Sequence, residues 1–199
     1  MTLQGRFVTL EPLSMAHHAA LVEAGRDAAI FQWYPAPVAG EGPMREFIES
    51  SLADQAKGLA IPFAVRTRHD GAVVGSSRFG AIDAKHARAE IGWTWYAPHV
   101  QRTPVNTECK RLMLAHGFDT LGYRRIEFKT DSLNAASRAA LARIGAVEEG
   151  TFRNHMITAS GRQRHSVYFS IIREDWPAVR DGLDARLSRP FSFAAPVTS

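Results

Sequence analysis

Apolar positions along the chain switch between two periods, every second residue in some stretches and every third or fourth in others, which separates strands from helices. The first alternation covers residues 7–10, Phe7-Val8-Thr9-Leu10, and is followed by a turn at Pro12 and a helix opening at Ser14, a good N-cap. A second helix is predicted with Pro43 at its first position, with Met44, Phe47, Ile48, Ser51 and Leu52 on one face and Gly58 closing it. Between the two, Phe31-Gln32-Trp33-Tyr34-Pro35-Ala36-Pro37 holds too much proline for a helix and reads as an aromatic loop.

A β-meander follows. Ile61, Phe63 and Val65 alternate, His69-Asp70-Gly71 makes a turn, and residues 73–79 return. The strand over residues 89–96 is predicted to set Ile91, Trp93 and Trp95 on one face and Glu90, Gly92, Thr94 and Tyr96 on the other, ending at Pro98. Residues 105–121 carry Val105, Cys109, Leu112, Met113, Phe118 and Leu121 at helical spacing, with Gly122 after the end. Then come a strand over 126–130 and a short helix over 134–144 with Ala136, Ala140 and Ile144 on one stripe. A hairpin of 151–157 and 167–172 around Ala159-Ser160-Gly161 and an amphipathic helix over 175–187 complete the pattern. The order predicts one mixed α/β domain, with an irregular tail from Ser188.

Composition adds exclusions. The 199 residues are 45% hydrophobic and 22% charged, which fits a single globular core. Cys109 is the one cysteine, so an internal disulfide and a CxxC zinc site are excluded, and a reducing cytosol is expected. The eight histidines show no metal-ligand spacing, so no metal is expected. No apolar run approaches a membrane span, and the opening residues lack the core of a signal peptide. The charge of +4, from 24 Lys+Arg against 20 Asp+Glu, is spread along the chain, so neither nucleic acid nor a membrane is an expected partner.

Candidate chemistry sits where strands pass into helices. In Trp95-Tyr96-Ala97-Pro98-His99-Val100-Gln101-Arg102-Thr103-Pro104-Val105-Asn106-Thr107-Glu108, free amides at the helix start and Arg102 make an anion site, or else a plain connection with a solvated arginine. In Thr130-Asp131-Ser132-Leu133-Asn134-Ala135-Ala136-Ser137, Asn134 is a good N-cap and the Ser137 hydroxyl falls in the first turn.

These segments and the element order resemble the GNAT superfamily of acetyl-CoA-dependent N-acetyltransferases, and most of all its RimJ/RimL-like, ribosomal-protein N-terminal branch. The resemblance runs from Gly5-Arg6-Phe7-Val8-Thr9-Leu10-Glu11-Pro12-Leu13 to Trp176. Its most specific parts are Ala89-Glu90-Ile91-Gly92-Trp93, residues 101–110, Glu127-Phe128-Lys129-Thr130-Asp131 with Asn134 and Ser137, and Ile144-Gly145-Ala146-Val147-Glu148-Glu149-Gly150. It implies a single GNAT-like domain over residues 1–187, with a mostly antiparallel mixed sheet flanked by helices, and a tail over 188–199. The family's phosphate loop reads Gln/Arg-x-x-Gly-x-Gly/Ala; here Gln101 fits, while Pro104 and Asn106 replace the small residues and Pro104 removes one N–H.

By that resemblance, acetyl-CoA is the cosubstrate and a primary amine is the acceptor. Trp95, Tyr96, Gln101, Arg102, Thr103, Val105, Asn106, Thr107, Asn134 and Ser137 are the expected cofactor-binding residues. Ser137 would serve the leaving sulfur, and Glu90 would be the base unless it spends its charge on a cross-strand arginine. Trp33 and Tyr34 are the expected acceptor-binding pair, with a peptide α-amine or a small amine as the acceptor. A coenzyme A-binding module without turnover is the other reading, motivated by the altered loop. Cys109, on an apolar stripe, reads as core rather than nucleophile. Phe191, Phe193 and Val197 in the tail suggest contact with another surface, such as a homodimer.

Overall fold

The computed structural model describes residues 1–158 and 160–193. The alternating stretches assemble into one eight-stranded sheet: β1 (Leu3–Gln4), β2 (Val8–Pro12), β3 (Ile61–Thr67), β4 (Val73–Asp83), β5 (Arg88–Tyr96), β6 (Arg125–Asp131), β7 (Val147–Ile157) and β8 (Gln163–Ile172). The spatial order is β1-β2-β3-β4-β5-β6-β8-β7. Every pairing is antiparallel except that of β5 with β6, which needs a crossover and obtains it from a helix. Because β5 and β6 run parallel, the loops that leave them open at the same end of the sheet.

The helices are α1 (His18–Ala24), α2 (Glu41–Ala56), α3 (Pro104–Ala115), α4 (Ala135–Arg143) and α5 (Trp176–Leu187). They bury two separate cores. One holds Phe79, Ile91, Val105, Cys109, Met113, Phe118, Ile126, Phe128, Leu141, Phe169, Trp176 and Leu183, and so lies beneath α3, α4 and α5. The other, on the opposite face, joins Leu21 of α1, Phe31, Met44 and Ile48 of α2 to Ala64 and Trp95 of the sheet.

Several predicted details differ. Gly40 caps α2, so Pro43 is its third residue, where its missing N–H is still one the helix would not have used. The third helix leaves α geometry at Ala115 for a π turn, His116–Thr120, and Leu121 lies outside it. In α4, Ala136 is exposed and the inward stripe is the half-buried Ser137 with buried Leu141 and Ile144. The alternation in β5 also inverts: Ile91 and Tyr96 enter the core beneath α3, whereas Trp95 enters the core beneath α1 and α2. The cause is one extra residue, since Arg78↔Gly92 and Ser76↔Trp95 set two steps of β4 against three of β5. Trp93 takes up the bulge at φ +49°.

In the tail, Phe191 and Phe193 stand edge-on to the Phe7 ring, with centroids 6.3 and 6.4 Å away. Two of the residues expected to meet another surface therefore meet this chain's own core. Val197, with the rest of the chain from Ala194 and the turn residue Ala159, lies outside the described residues.

Candidate functional site

The parallel pair is short. Arg88, Ala89 and Glu90 of β5 face Arg125, Ile126 and Glu127 of β6, and there the ladder ends although both strands continue. From Ile91 to Tyr96, β5 keeps β4 on one edge and has no described strand on the other. A cleft thus opens between β5 and β6 toward the end from which α3 and α4 start.

At the α3 start, the Thr103 hydroxyl donates to the Val100 carbonyl at 2.6 Å and accepts from the Val105 N–H at 3.3 Å. With Pro104 lacking an N–H, the Asn106 amide is the first-turn donor left for a ligand, while Glu108, a full turn in, belongs to the helix ladder. Val105 is core, Asn106 and Thr107 are half-buried, and Gln101 and Arg102 are exposed. The Gln101 side-chain amide donates to the Tyr96 carbonyl at 3.1 Å, fixing the loop to the strand end. Arg102 stands at φ +62°, the sharpest bend of this loop. The Glu108 carboxylate turns away from the helix start and accepts the N–H groups of Arg6, Phe7 and Val8.

At the α4 start, the Asn134 side-chain oxygen accepts the Ser137 N–H at 3.0 Å. This satisfies a donor that the helix cannot and leaves the Ser137 hydroxyl free of that duty. Tyr96 and Cys109 meet in the core, where burial pushes the Cys109 thiol up to about 12, which keeps it neutral and unreactive.

The remaining predicted residues lie on the opposite face. Glu90 is 6% exposed, and its carboxylate lies 3.4 Å from the Lys129 ammonium of β6, so its partner is a lysine and not an arginine. Burial nonetheless raises its pKa, with Lys129 pulling the other way. Beside it, Arg78 covers the Trp93 indole at 3.6 Å, and a side chain at Gly80 would strike that indole. Tyr34 packs edge-on to Phe31, and its buried hydroxyl has no partner among the described residues. Burial raises its pKa strongly, so it is a neutral phenol.

Trp33 is held differently. Its carbonyl accepts from the buried Arg164 guanidinium at 3.3 Å, and Arg162 lies over its ring at 5.9 Å. Both arginines also face the buried Asp131 carboxylate, at the end of β6 just before the α4 start. Arg164, Arg78, Lys129 and Lys110 were not among the sequence candidates. Basic residues ordinarily stay solvated, so residue type alone does not mark these as buried or half-buried.

The arrangement therefore has two sides, one on each face of the sheet where β5 and β6 part. The α3 and α4 starts, with Gln101, Arg102, Thr103, Asn106, Asn134 and Ser137, border one side. On the other, Glu90 is buried beside Lys129, Tyr34 packs on the core of Phe31 and Trp95, and the Trp33 carbonyl meets Arg164. An exposed arginine, a free helix-start amide and an unpaired strand edge suit a ligand with an anionic head and an extended amide arm, such as coenzyme A. Among the described residues, no group of three or more His, Cys, Asp or Glu is placed to hold a metal ion, and no helix is long and apolar enough to cross a membrane.

Comparison with known proteins gives a family match over residues 8–147, to the acetyltransferase (GNAT) domain. YdaF of Bacillus subtilis (strain 168), named as a ribosomal N-acetyltransferase, is 29% identical over 108 residues, which are 54% of this chain and 58% of YdaF. The alignment thus spans little more than half the length of that relative. A crystal structure of a GCN5-related N-acetyltransferase from Brucella melitensis superposes with a TM-score of 0.87 at 32% identity, covering 94% of this chain and 86% of that one. RimJ of Mycobacterium smegmatis, solved with CoA-disulfide, shares the fold with a TM-score of 0.79 at 24% identity, covering 94% of this chain and 93% of that one.

Proposed function

The chain belongs to the GNAT acetyltransferase family, and from that premise we propose that it moves an acetyl group from acetyl-CoA to a primary amine by direct attack on the thioester. One observation carries the reading: β5 and β6 part after Glu90 and Glu127 at the end where the α3 and α4 helices begin. Arg102 and the Asn106 amide would hold the phosphates, and the free edge of β5 beyond Glu90 would pair with the amide arm. Trp95 and Tyr96 then act through their backbone, because both side chains are core.

Transfer needs a neutral amine, a donor for the carbonyl oxygen and a proton for the leaving sulfur. Glu90 takes the proton from the acceptor ammonium, directly or through water, and the pKa that burial raises makes it a stronger base than an exposed carboxylate. As the N–C bond forms and the C–S bond breaks, the Ser137 hydroxyl donates to the departing thiolate. Trp33 and Tyr34 form the acceptor wall, with Arg164 holding the loop in place.

The proposed acceptor is a peptide or protein N-terminal α-amine, the class suggested by the name of YdaF. An unperturbed α-amine titrates near ~8 and needs only modest help. A small amine stacked on the aromatic loop is the second acceptor class. The domain is assigned to residues 1–187 and the protein to the cytoplasm, where a lone buried thiol stays reduced. With Phe191 and Phe193 on Phe7, the tail's case for a homodimer rests on Val197 alone. Titration with acetyl-CoA, followed by thiol release across a panel of peptide and small amines, tests the proposal. Release with a peptide amine supports it, and binding without release from any amine would favour a coenzyme A-binding module.

A further inference from the structure

Lys110 is 6% exposed, yet it has no carboxylate within bonding distance among the described residues. Its ammonium donates once, to the Thr94 hydroxyl at 3.0 Å, and lies 5.7 Å from the centre of the Phe128 ring. Those two contacts locate it. Thr94 stands on β5 four residues beyond the last paired residue, Glu90, and Phe128 stands on β6 one residue beyond Glu127. Lys110 therefore lies buried between α3 and the place where β5 and β6 diverge, bonded to Thr94 of β5 and near the Phe128 ring of β6. Thr94 is already engaged, since its hydroxyl also meets the Ser77 hydroxyl at 2.8 Å. An ammonium carries three N–H donors, and burying two without acceptors is costly.

We propose that Lys110 is a coenzyme-contacting residue, whose free N–H donors take a carbonyl oxygen of the acyl-pantetheine arm in the β5–β6 cleft. The inference rests on the acetyl-CoA reading. It adds a cationic donor, reaching the cleft from α3, that the Ser137 and Glu90 assignments do not contain. The carbonyl is either that of the thioester or that of a pantetheine amide, and the two share the same hydrogen-bond chemistry.

Burial lowers the Lys110 pKa to about 8, so a fraction of the amine is neutral in the free protein. The other titratable groups acting on it are Glu90 of β5 and the neutral Cys109 of α3. A carbonyl acceptor favours the charged form, so ligand binding must draw a proton from solvent.

The test is calorimetry at pH 8 in phosphate and in Tris, whose ionisation enthalpies differ, with acetyl-CoA and separately with desulfo-coenzyme A. Wild-type protein is expected to take up close to ~0.5 proton per ligand, and Lys110→Met to bind about tenfold or more weaker with no uptake. Uptake with both ligands assigns the amide carbonyl, and uptake with acetyl-CoA alone assigns the thioester; either supports the proposal. A second measurement needs no variant: the Lys110 Nζ resonance should titrate at higher pH in the complex than in the free protein. Binding with no uptake, or with the same uptake in Lys110→Met, overturns the proposal and leaves the acetyl-CoA reading intact. Absence of binding to wild-type protein overturns both.

Discussion

The carboxylate of Glu108 accepts the backbone N–H of Phe7 at 2.6 Å across 101 residues of sequence, and the Arg6 and Val8 N–H groups complete the cradle at 2.7 and 2.8 Å. One side chain of α3 thereby satisfies three donors in the turn between β1 and β2, and it pins the second turn of the helix whose start borders the cleft. Glu108→Ala would strand those donors, so a loss of about 3 kcal/mol or more is expected in urea unfolding. The same contact explains Gly5, where an added Cβ would fall 2.3 Å from the Glu108 carboxyl carbon. Gly5→Ala should therefore destabilise too, and unchanged stability in both variants would contradict the cradle.

Lys110 and Glu90 carry opposite charges into the same sheet, and their substitutions should differ in what they cost. The Glu90 pKa is raised, so the folded protein keeps a proton that the unfolded chain has already lost. Stability then falls as pH rises from the unfolded value near 4.5 to the higher folded one. Glu90→Gln removes that penalty. Its melting temperature is expected to exceed that of the wild type at pH 7 and to converge with it toward pH 4, while turnover drops about a hundredfold or more and the acid limb of the kcat/KM profile disappears. Turnover close to wild type would remove Glu90 as the base.

Much of the fold was legible because local patterns and tertiary packing agree: most strands, the order of helices, and the capping role of Asn134 follow from period and residue type. The inverted alternation after Gly92 was not, because a bulge leaves no compositional mark when a tryptophan, not a glycine, takes the positive φ. Nor was the buried position of Glu108, Lys110, Asp131 and Arg164, since charged side chains are read as solvated unless their partners are known. Those partners, the Arg6–Val8 backbone, Thr94 and the Trp33 carbonyl, come from elements distant in sequence. The loop before α3 was visible as a candidate anion site and the α4 start as a capped turn carrying Ser137; that they open on one cleft depends on where the β5–β6 ladder stops.

Trp33→Ala should raise the acceptor KM and leave acetyl-CoA affinity nearly unchanged, because the indole packs under Arg162 and has no contact with the α3 start. Arg164→Met, which releases the Trp33 carbonyl, should move KM the same way through the loop. Equal loss of both affinities with a lowered melting temperature would show a packing residue instead.

Ser137→Ala should preserve the fold and acetyl-CoA affinity and lower kcat by roughly tenfold to a thousandfold, as expected for one positioned donor. Asn134→Ala is the contrasting variant: it removes the cap on the Ser137 N–H and should cost about 1 kcal/mol of stability. Normal kcat in Ser137→Ala, with an active acceptor in hand, would assign the proton of the departing thiol to water.

The central claim is that the cleft between β5 and β6 holds acetyl-CoA with its phosphates at the start of α3. Isothermal calorimetry of the full chain with acetyl-CoA tests this most directly, paired with Arg102→Glu, which reverses an exposed charge beside the Asn106 amide and touches no core contact. Binding is expected at about micromolar levels or tighter, weakened about tenfold or more by the charge reversal. No heat and no thermal shift at millimolar acetyl-CoA, or equal affinity in Arg102→Glu and the wild type, would contradict it.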